Sequence, residues 1–463
     1  MTIELSTITF TEQDDVVPAS EVKEEILNTG VVNTLAGNDI ITGRGGIYSI
    51  LNIGTLDTAE GNDLITGIRS QSEPLEGFGA GIRNEGGTIK TGNGNDIIEG
   101  IHNQNQTEDS FFGYGIDNEG GIIDTGDGND IITGINRRVG GVGINSIFGT
   151  INTGDGNDTI TGVGRFGIAN VETAFNTGNG NDIIAGNSNT EFGGGVLNQL
   201  ETMGTGDGDD TIIGTGFVSI INTTGSTIDT GDGDDIIDGR GIRDSIENYG
   251  TINTNNGKDS IFSRGQLLNY GGVFLGDGND SISASIISDT GFPNRAIGNF
   301  NFIGTGDGND IITSTNVIYN EGIINTDNGD DSIIVDGGVD GTGTGYGIYN
   351  KGGSINTGDG NDTIIASEGF ESGPNSSGAW FLGDGEDYIK GFGSGDFYGG
   401  NGNDTLELTP GTYTVGIWGE GGESPIFTKG NQLMITSEFE KLKAGDTTYD
   451  FTNLTAGQII IVV

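Results

Sequence analysis

The 463-residue chain has no cysteine, 6 prolines, 1 histidine and only 18 Lys and Arg. Without Cys it forms no disulfide and offers no thiolate to a metal. The 18 basic residues face 67 acidic ones, a formal charge of −49, so nucleic acid and anionic membrane repel the chain. No apolar run reaches transmembrane length. No basic segment followed by an apolar stretch opens the sequence, so an ordinary secretory signal peptide is not expected. Neither an HExxH metalloprotease motif nor a GxSxG nucleophile elbow occurs. Glycine is plentiful at 91 residues, but it does not fall at every third position, which excludes collagen.

What is present is a repeat. The stretch Asn118-Glu119-Gly120-Gly121-Ile122-Ile123-Asp124-Thr125-Gly126-Asp127-Gly128-Asn129-Asp130-Ile131-Ile132 is one copy of a degenerate unit that recurs fifteen times. Its constant part is Gly-x-Asp and an alternating apolar segment. The Asp stands at 39, 63, 96, 130, 158, 182, 210, 235, 259, 280, 310, 331, 362, 387 and 404. Two residues further on comes Ile in fourteen copies and Leu406 in the last.

Successive Asp residues are 17 to 34 apart, but the irregularity is confined to one half of each unit. An Asn precedes the Asp by 11 to 13 residues in the first fourteen copies, at 28, 52, 84, 118, 145, 170, 198, 222, 248, 269, 299, 320, 350 and 375. The arc from Asp to the next Asn varies from 10 to 22. A fixed arc and a variable arc describe a stacked coil whose insertions leave from one side. The expected fold is all-β: a right-handed parallel β-solenoid of about fifteen coils, on the order of 70 Å long at 4.8 Å per coil, with small terminal caps.

Residues 1–27 read as an N-terminal cap, with Ile3, Leu5, Ile8 and Phe10 on a strand and a short helix over 20–27 started by Ser20. Residues 28–404 are the repeat solenoid. In Thr88-Ile89-Lys90-Thr91 and Thr159-Ile160-Thr161 the period of two places Ile in the core and Thr outside. The Asn file marks a turn in which amides bond from coil to coil. Insertions carry Phe78, Phe111, Phe112, Tyr114, Phe192, Phe292 and Tyr346, read as pins holding loop to coil. His102 lies in one of them and reads as solvated. Residues 405–463, with Trp418, Phe427, Leu433, Ile435 and Phe439, read as a β-rich C-terminal cap ending in Ile459-Ile460-Ile461-Val462-Val463.

The loop Thr153-Gly154-Asp155-Gly156-Asn157-Asp158 carries the chemistry. Its glycines allow a tight turn in which carbonyls converge. Stacking brings each Asp close to the next, where like charges repel by roughly 1 kcal/mol per neighbouring pair even in water. A cation must relieve this. A site built from oxygens alone selects a hard ion, calcium over zinc. With that cation bound, the fixed Ile register argues against the disorder that an acidic, Gly-rich composition otherwise suggests.

Gly126-Asp127-Gly128-Asn129-Asp130-Ile131-Ile132 resembles the GGxGxDxUx nonapeptide of the RTX calcium-binding β-roll family, and the likeness runs over about four-fifths of the chain. The resemblance implies that Asp39, Asp63, Asp96, Asp130, Asp158, Asp182, Asp210, Asp235, Asp259, Asp280, Asp310, Asp331, Asp362, Asp387 and Asp404 are calcium ligands together with loop carbonyls. Departures from the motif at Leu35, Ala59, Asn255 and Asp327 put four loops in question, and Lys258 weakens the ninth. With Asn turns on the opposite edge, one row of ions is expected. The resemblance also implies type I export through an uncleaved C-terminal signal, hence a secreted or cell-surface location.

The reading is a calcium-folded structural or adhesive protein, not an enzyme, whose partners are calcium and either surface polysaccharide or end-to-end copies of itself. Two alternatives stand beside it. One is a polysaccharide-acting epimerase or lyase, from the string Tyr114-Gly115-Ile116-Asp117. The other is an ice binder, from the Thr that precedes most loops (Thr34, Thr58, Thr91, Thr125, Thr153, Thr177, Thr205, Thr230, Thr254, Thr305, Thr326 and Thr357).

Overall fold

Ile and Thr in alternation favour extended backbone, because their branched side chains are stiff at χ1 and pack well on a pleated surface. The computed structural model, which describes residues 2–18, 24–69, 79–103, 113–138, 140–286, 295–338, 345–373, 378–419 and 424–463, turns each such segment into a strand. Two compact units result, Met1–Thr254 and Asn255–Val463. Both are all-β parallel solenoids, and among the described residues the only helical elements are the 3-10 turns Leu5–Thr7 and Phe451–Asn453.

In the first unit a coil has three strands. Ile131–Asn136 follows the loop, Val142–Ile147 precedes the Asn turn, and Thr150–Asn152 leads to the next loop. Each pairs in parallel and in register with its counterparts one coil away. Ile132 faces Ile98 and Ile160, Ile144 faces Ile116 and Ile168, and Ile151 faces Ile123 and Phe175. These side chains form three buried columns, and each Ile contributes roughly 1.5–3 kcal/mol of transfer free energy against the entropy of ordering.

Behind the turns the amides form a ladder. Asn28 Nδ2 donates to Asn52 Oδ1, Asn52 to Asn84 and Asn84 to Asn118, each at 2.8 Å. The fifth rung is Ser146, which accepts from Asn118 at 3.1 Å, and not Asn145. Asn145 lies one residue back, on the neighbouring file, and donates to Asp117 Oδ1 at 2.8 Å. Spacing alone cannot separate adjacent residues that point to opposite faces of a strand.

The N-terminal segment differs from the expected cap. Residues 19–23, including Ser20, lie outside the described residues, but Glu25–Asn28 is a strand paired in parallel with Thr2–Glu4, so 25–27 are extended where a helix was expected. Ile26 enters a core column beside Ile50, and this pairing overrides local propensity. Val16 and Val17 pair with Ile40 and Ile41. Residues 13–17 therefore add one further, degenerate loop and strand to the stack.

In the second unit the same columns run through Ile282, Ile312, Ile333, Ile364 and Ile389. Its amide ladder joins Asn269, Asn299, Asn320 and Asn350 at 2.8–2.9 Å; Asn375 lies outside the described residues. Near the C-terminus aromatics replace aliphatics, with Trp380 stacked on Phe397 at 4.3 Å and Phe370 edge-on to both. Antiparallel strands follow. Gly411–Trp418 pairs with Ser424–Lys429 and with Ile459–Val462, while Gln432–Ser437 returns to parallel pairing with Gly395–Gly402.

Of the insertion aromatics, Phe78, Phe111, Phe112 and Phe292 lie outside the described residues. Phe192 is 5.7 Å from Phe217 and Tyr346 is 6.0 Å from Tyr349, contacts of the pinning kind.

Candidate metal centre

The loop is shaped by glycines at positive φ. Gly126 has φ 83° and Gly128 has φ 152°. A Cβ on Gly128 would lie 1.5 Å from the Gly94 carbonyl oxygen of the preceding coil, so only glycine allows the coils to approach this closely. Leu35, Ala59, Asn255 and Asp327, the residues that depart from the motif, adopt φ of 70°, 66°, 61° and 61°. Their loops keep the left-handed turn.

This turn delivers Asp to the same place in every coil. In the first unit Asp39 through Asp235 form a file in which each backbone N–H donates to Oδ1 of the next Asp. Asp96 N reaches Asp130, Asp130 N reaches Asp158 and Asp158 N reaches Asp182, all at 2.7–2.8 Å. The second unit repeats the pattern from Asp259 to Asp404, for example Asp310 N to Asp331 and Asp331 N to Asp362 at 2.8 Å. All fifteen carboxylates are buried.

One oxygen of each carboxylate is thus used. The other, Oδ2, has no hydrogen-bond donor at Asp63, Asp96, Asp130, Asp158, Asp182 and Asp210 in the first unit, or at Asp310, Asp331, Asp362, Asp387 and Asp404 in the second. In the loops of Asp158 and Asp182 a Thr hydroxyl lies beside the carboxylate, but its single proton is directed to a carbonyl of the next coil. Thr153 Oγ1 donates to the Thr177 carbonyl at 3.1 Å and Thr177 Oγ1 to the Thr205 carbonyl at 3.2 Å. Burial consequently pushes Asp158 up to about 7 and Asp182 up to about 6, against the smaller opposing pull of Thr153, Thr177 and the backbone donors. Asp331, Asp362 and Asp387 are likewise raised to about 7.

Protein groups close the N-terminal end of the file. Asp15 N donates to Asp39 Oδ1 at 2.8 Å, Thr34 donates to Asp39 Oδ2, and the Asp15 carboxylate itself accepts from Thr11 N at 2.7 Å. At the other end of the second unit Asp404 N donates to Glu440 Oε2 at 2.7 Å. Neither Asp15 nor Glu440 follows a Gly-x-Asp loop, so the motif did not reveal them.

Among the described residues no three His, Cys, Asp or Glu side chains converge. A cation in this file would therefore rest on one or two carboxylates completed by loop carbonyls. An all-oxygen set with unsatisfied carboxylate oxygens fits calcium and suits neither zinc nor copper.

The Thr file that suggested an ice binder is buried throughout. His102, expected in solvent, is buried, and burial together with nearby Arg69 pushes its imidazole down to about 3. Tyr114-Gly115-Ile116-Asp117 lies on the strand Gly113–Glu119, with Ile116 in the core and Asp117 paired to Arg83 and Asn145, an arrangement that serves packing.

No family model and no curated protein matches the chain. Among solved structures it is similar to a hyperactive, Ca2+-dependent, beta-helical antifreeze protein from an Antarctic bacterium, at 18% identity over 77% of this chain and 84% of that one, with a TM-score of 0.40. At that level the likeness carries no argument about this chain, whose parallel β-solenoid rests on its own strand pairing.

Proposed function

We propose that the protein is a calcium-binding repeat protein of RTX-like type, whose solenoid units are completed by ions along the Asp file. The observation that carries this reading is the row of buried Oδ2 atoms without donors. A buried carboxylate oxygen left unpaired costs about 1–3 kcal/mol or more, and the cost recurs at each coil. These atoms are buried and accept no hydrogen bond, so a cation or a proton would supply the missing charge. Asp39 through Asp404 would hold calcium with the carbonyls of the glycine turns. Calcium would supply positive charge that binds the folded stack and not the unfolded chain, stabilising it by mass action.

The biological role that follows is structural: a secreted or cell-surface protein acting as scaffold or adhesin, with polysaccharide or further copies of itself as partner, and no catalysis. Export by the type I route would keep the chain unfolded in a calcium-poor cytosol. The test is a calcium titration in chelator-treated buffer, followed by circular dichroism and melting. Cooperative gain of β-signal with calcium, unmatched by magnesium, is the expected result. Full signal and unchanged melting temperature in chelator would overturn the reading.

A further inference from the structure

We propose that the carboxylate file of the second unit ends in a calcium site over Gly399, built from Asp404, Glu440 and the Glu438 carbonyl, whose occupation fastens the C-terminal segment to the last loop. The proposal rests on the calcium reading above, and it concerns residues outside the repeat motif.

Register places Glu440 in the file. Lys441–Ala444 pairs in parallel with Thr405–Leu408, Thr405 facing Lys441, so the residue before Lys441 takes the position after Asp404. The hydrogen bonding agrees. Asp404 N donates to Glu440 Oε2 at 2.7 Å, as Asp387 N donates to Asp404 Oδ1 at 3.0 Å. Asp404 is fully buried and its Oδ2 has no donor.

The second observation is the convergence of oxygens at Gly399. Where preceding coils carry Thr357 and Leu382, this coil carries Gly399. A Cβ there would lie 2.0 Å from the Glu438 carbonyl oxygen and 2.8 Å from Asp404 Oδ2. Two oxygens, a carbonyl and an unpaired carboxylate oxygen, thus converge on the side of Gly399 where preceding coils carry a side chain. Glu438 holds its carbonyl there from a left-handed conformation, φ 62°, which is uncommon outside glycine. Glu386, Glu438 and Glu440 all act on Asp404 as like charges, so an empty site is under repulsion and a divalent cation reverses its sign. The consequence is regulatory. Lys441–Ala444, which follows Glu440 directly and lies against Thr405–Leu408, is then held at the last loop by a contact that calcium strengthens.

The experiment uses the full chain. Glu440→Gln retains an acceptor for Asp404 N and removes only charge. Calcium titration calorimetry should show one ion fewer than wild type. Hydrogen exchange should show that calcium no longer slows exchange in 438–444, while it still does so in loops 127–130 and 307–310. Asp158→Asn, in the other unit, should also lose an ion but keep protection of 438–444. Wild-type stoichiometry and protection in Glu440→Gln would overturn the proposal. Should that variant fail to fold, wild type decides alone, since equal protection of 438–444 in chelator and in calcium also overturns it. Failure of the underlying reading looks different: wild type would then bind no calcium anywhere.

Discussion

Asp182→Asn distinguishes an ion-holding carboxylate from a structural one by the sign of its effect. Asp182 is buried, accepts from Asp158 N at 2.7 Å through Oδ1, and has no donor at Oδ2. Asn keeps the Oδ1 acceptor and places an amide N–H beside the Thr177 hydroxyl oxygen. In chelator at pH 8, above the value of about 6 to which burial raises Asp182, the wild-type unit carries an unsatisfied charge that the variant lacks. Relief of that charge is worth about 1–3 kcal/mol. At 2–4 °C per kcal/mol for a unit of this size, melting should rise by roughly 2–12 °C. In saturating calcium the sign reverses, because a weakened site forfeits up to about 2.7 kcal/mol of linkage at a hundredfold excess over Kd. Differential scanning fluorimetry with chelator and with calcium gives both numbers from one preparation. A variant destabilised equally in the two buffers would refute the argument and make Asp182 a purely structural residue.

Further outcomes follow from the same geometry. Raised carboxylates mean that the calcium-free fold binds more protons than the unfolded chain between the ordinary value of 3.8 and about 7. Stability in chelator should therefore fall as pH rises from 4 to 7 and level off above it, as read from melts at pH 4.5, 6 and 8; a rise with pH would contradict the buried file. Asn84→Ala removes a rung that accepts from Asn52 and donates to Asn118 and to the Ile122 carbonyl, stranding buried groups on both sides at about 1–3 kcal/mol each. Urea unfolding should show the loss with and without calcium. Ile160→Ala opens a cavity between Ile132 and Ile184 and should cost about 2–5 kcal/mol in the same assay, again independently of calcium.

The Gly-x-Asp loops were legible in the sequence because their determinants are local. Glycine is required where φ is positive and a neighbouring carbonyl lies 1.5 Å from the missing Cβ, Asp must follow two residues later, and Ile must alternate to reach the core. Those constraints act within a few bonds, so they recur as spacing and identify strands, loops and the fifteen Asp. Facing and pairing are decided elsewhere. Thr153 and Thr159 stand six residues apart, yet one is wholly buried and the other half-exposed, because the turn between them resets the alternation. Ser146 replaces Asn145 as a rung by the register of its strand, since a shift of one residue changes faces. Ile26 forms a strand and not a helix because a neighbouring coil supplies its hydrogen bonds and its core. Asp15 and Glu440 join the file although neither follows a Gly-x-Asp loop: parallel pairing of Val16 with Ile40, and of Lys441 with Thr405, carries them there. Local steric need leaves a pattern in the sequence, whereas contacts made only by stacking are decided by the tertiary structure.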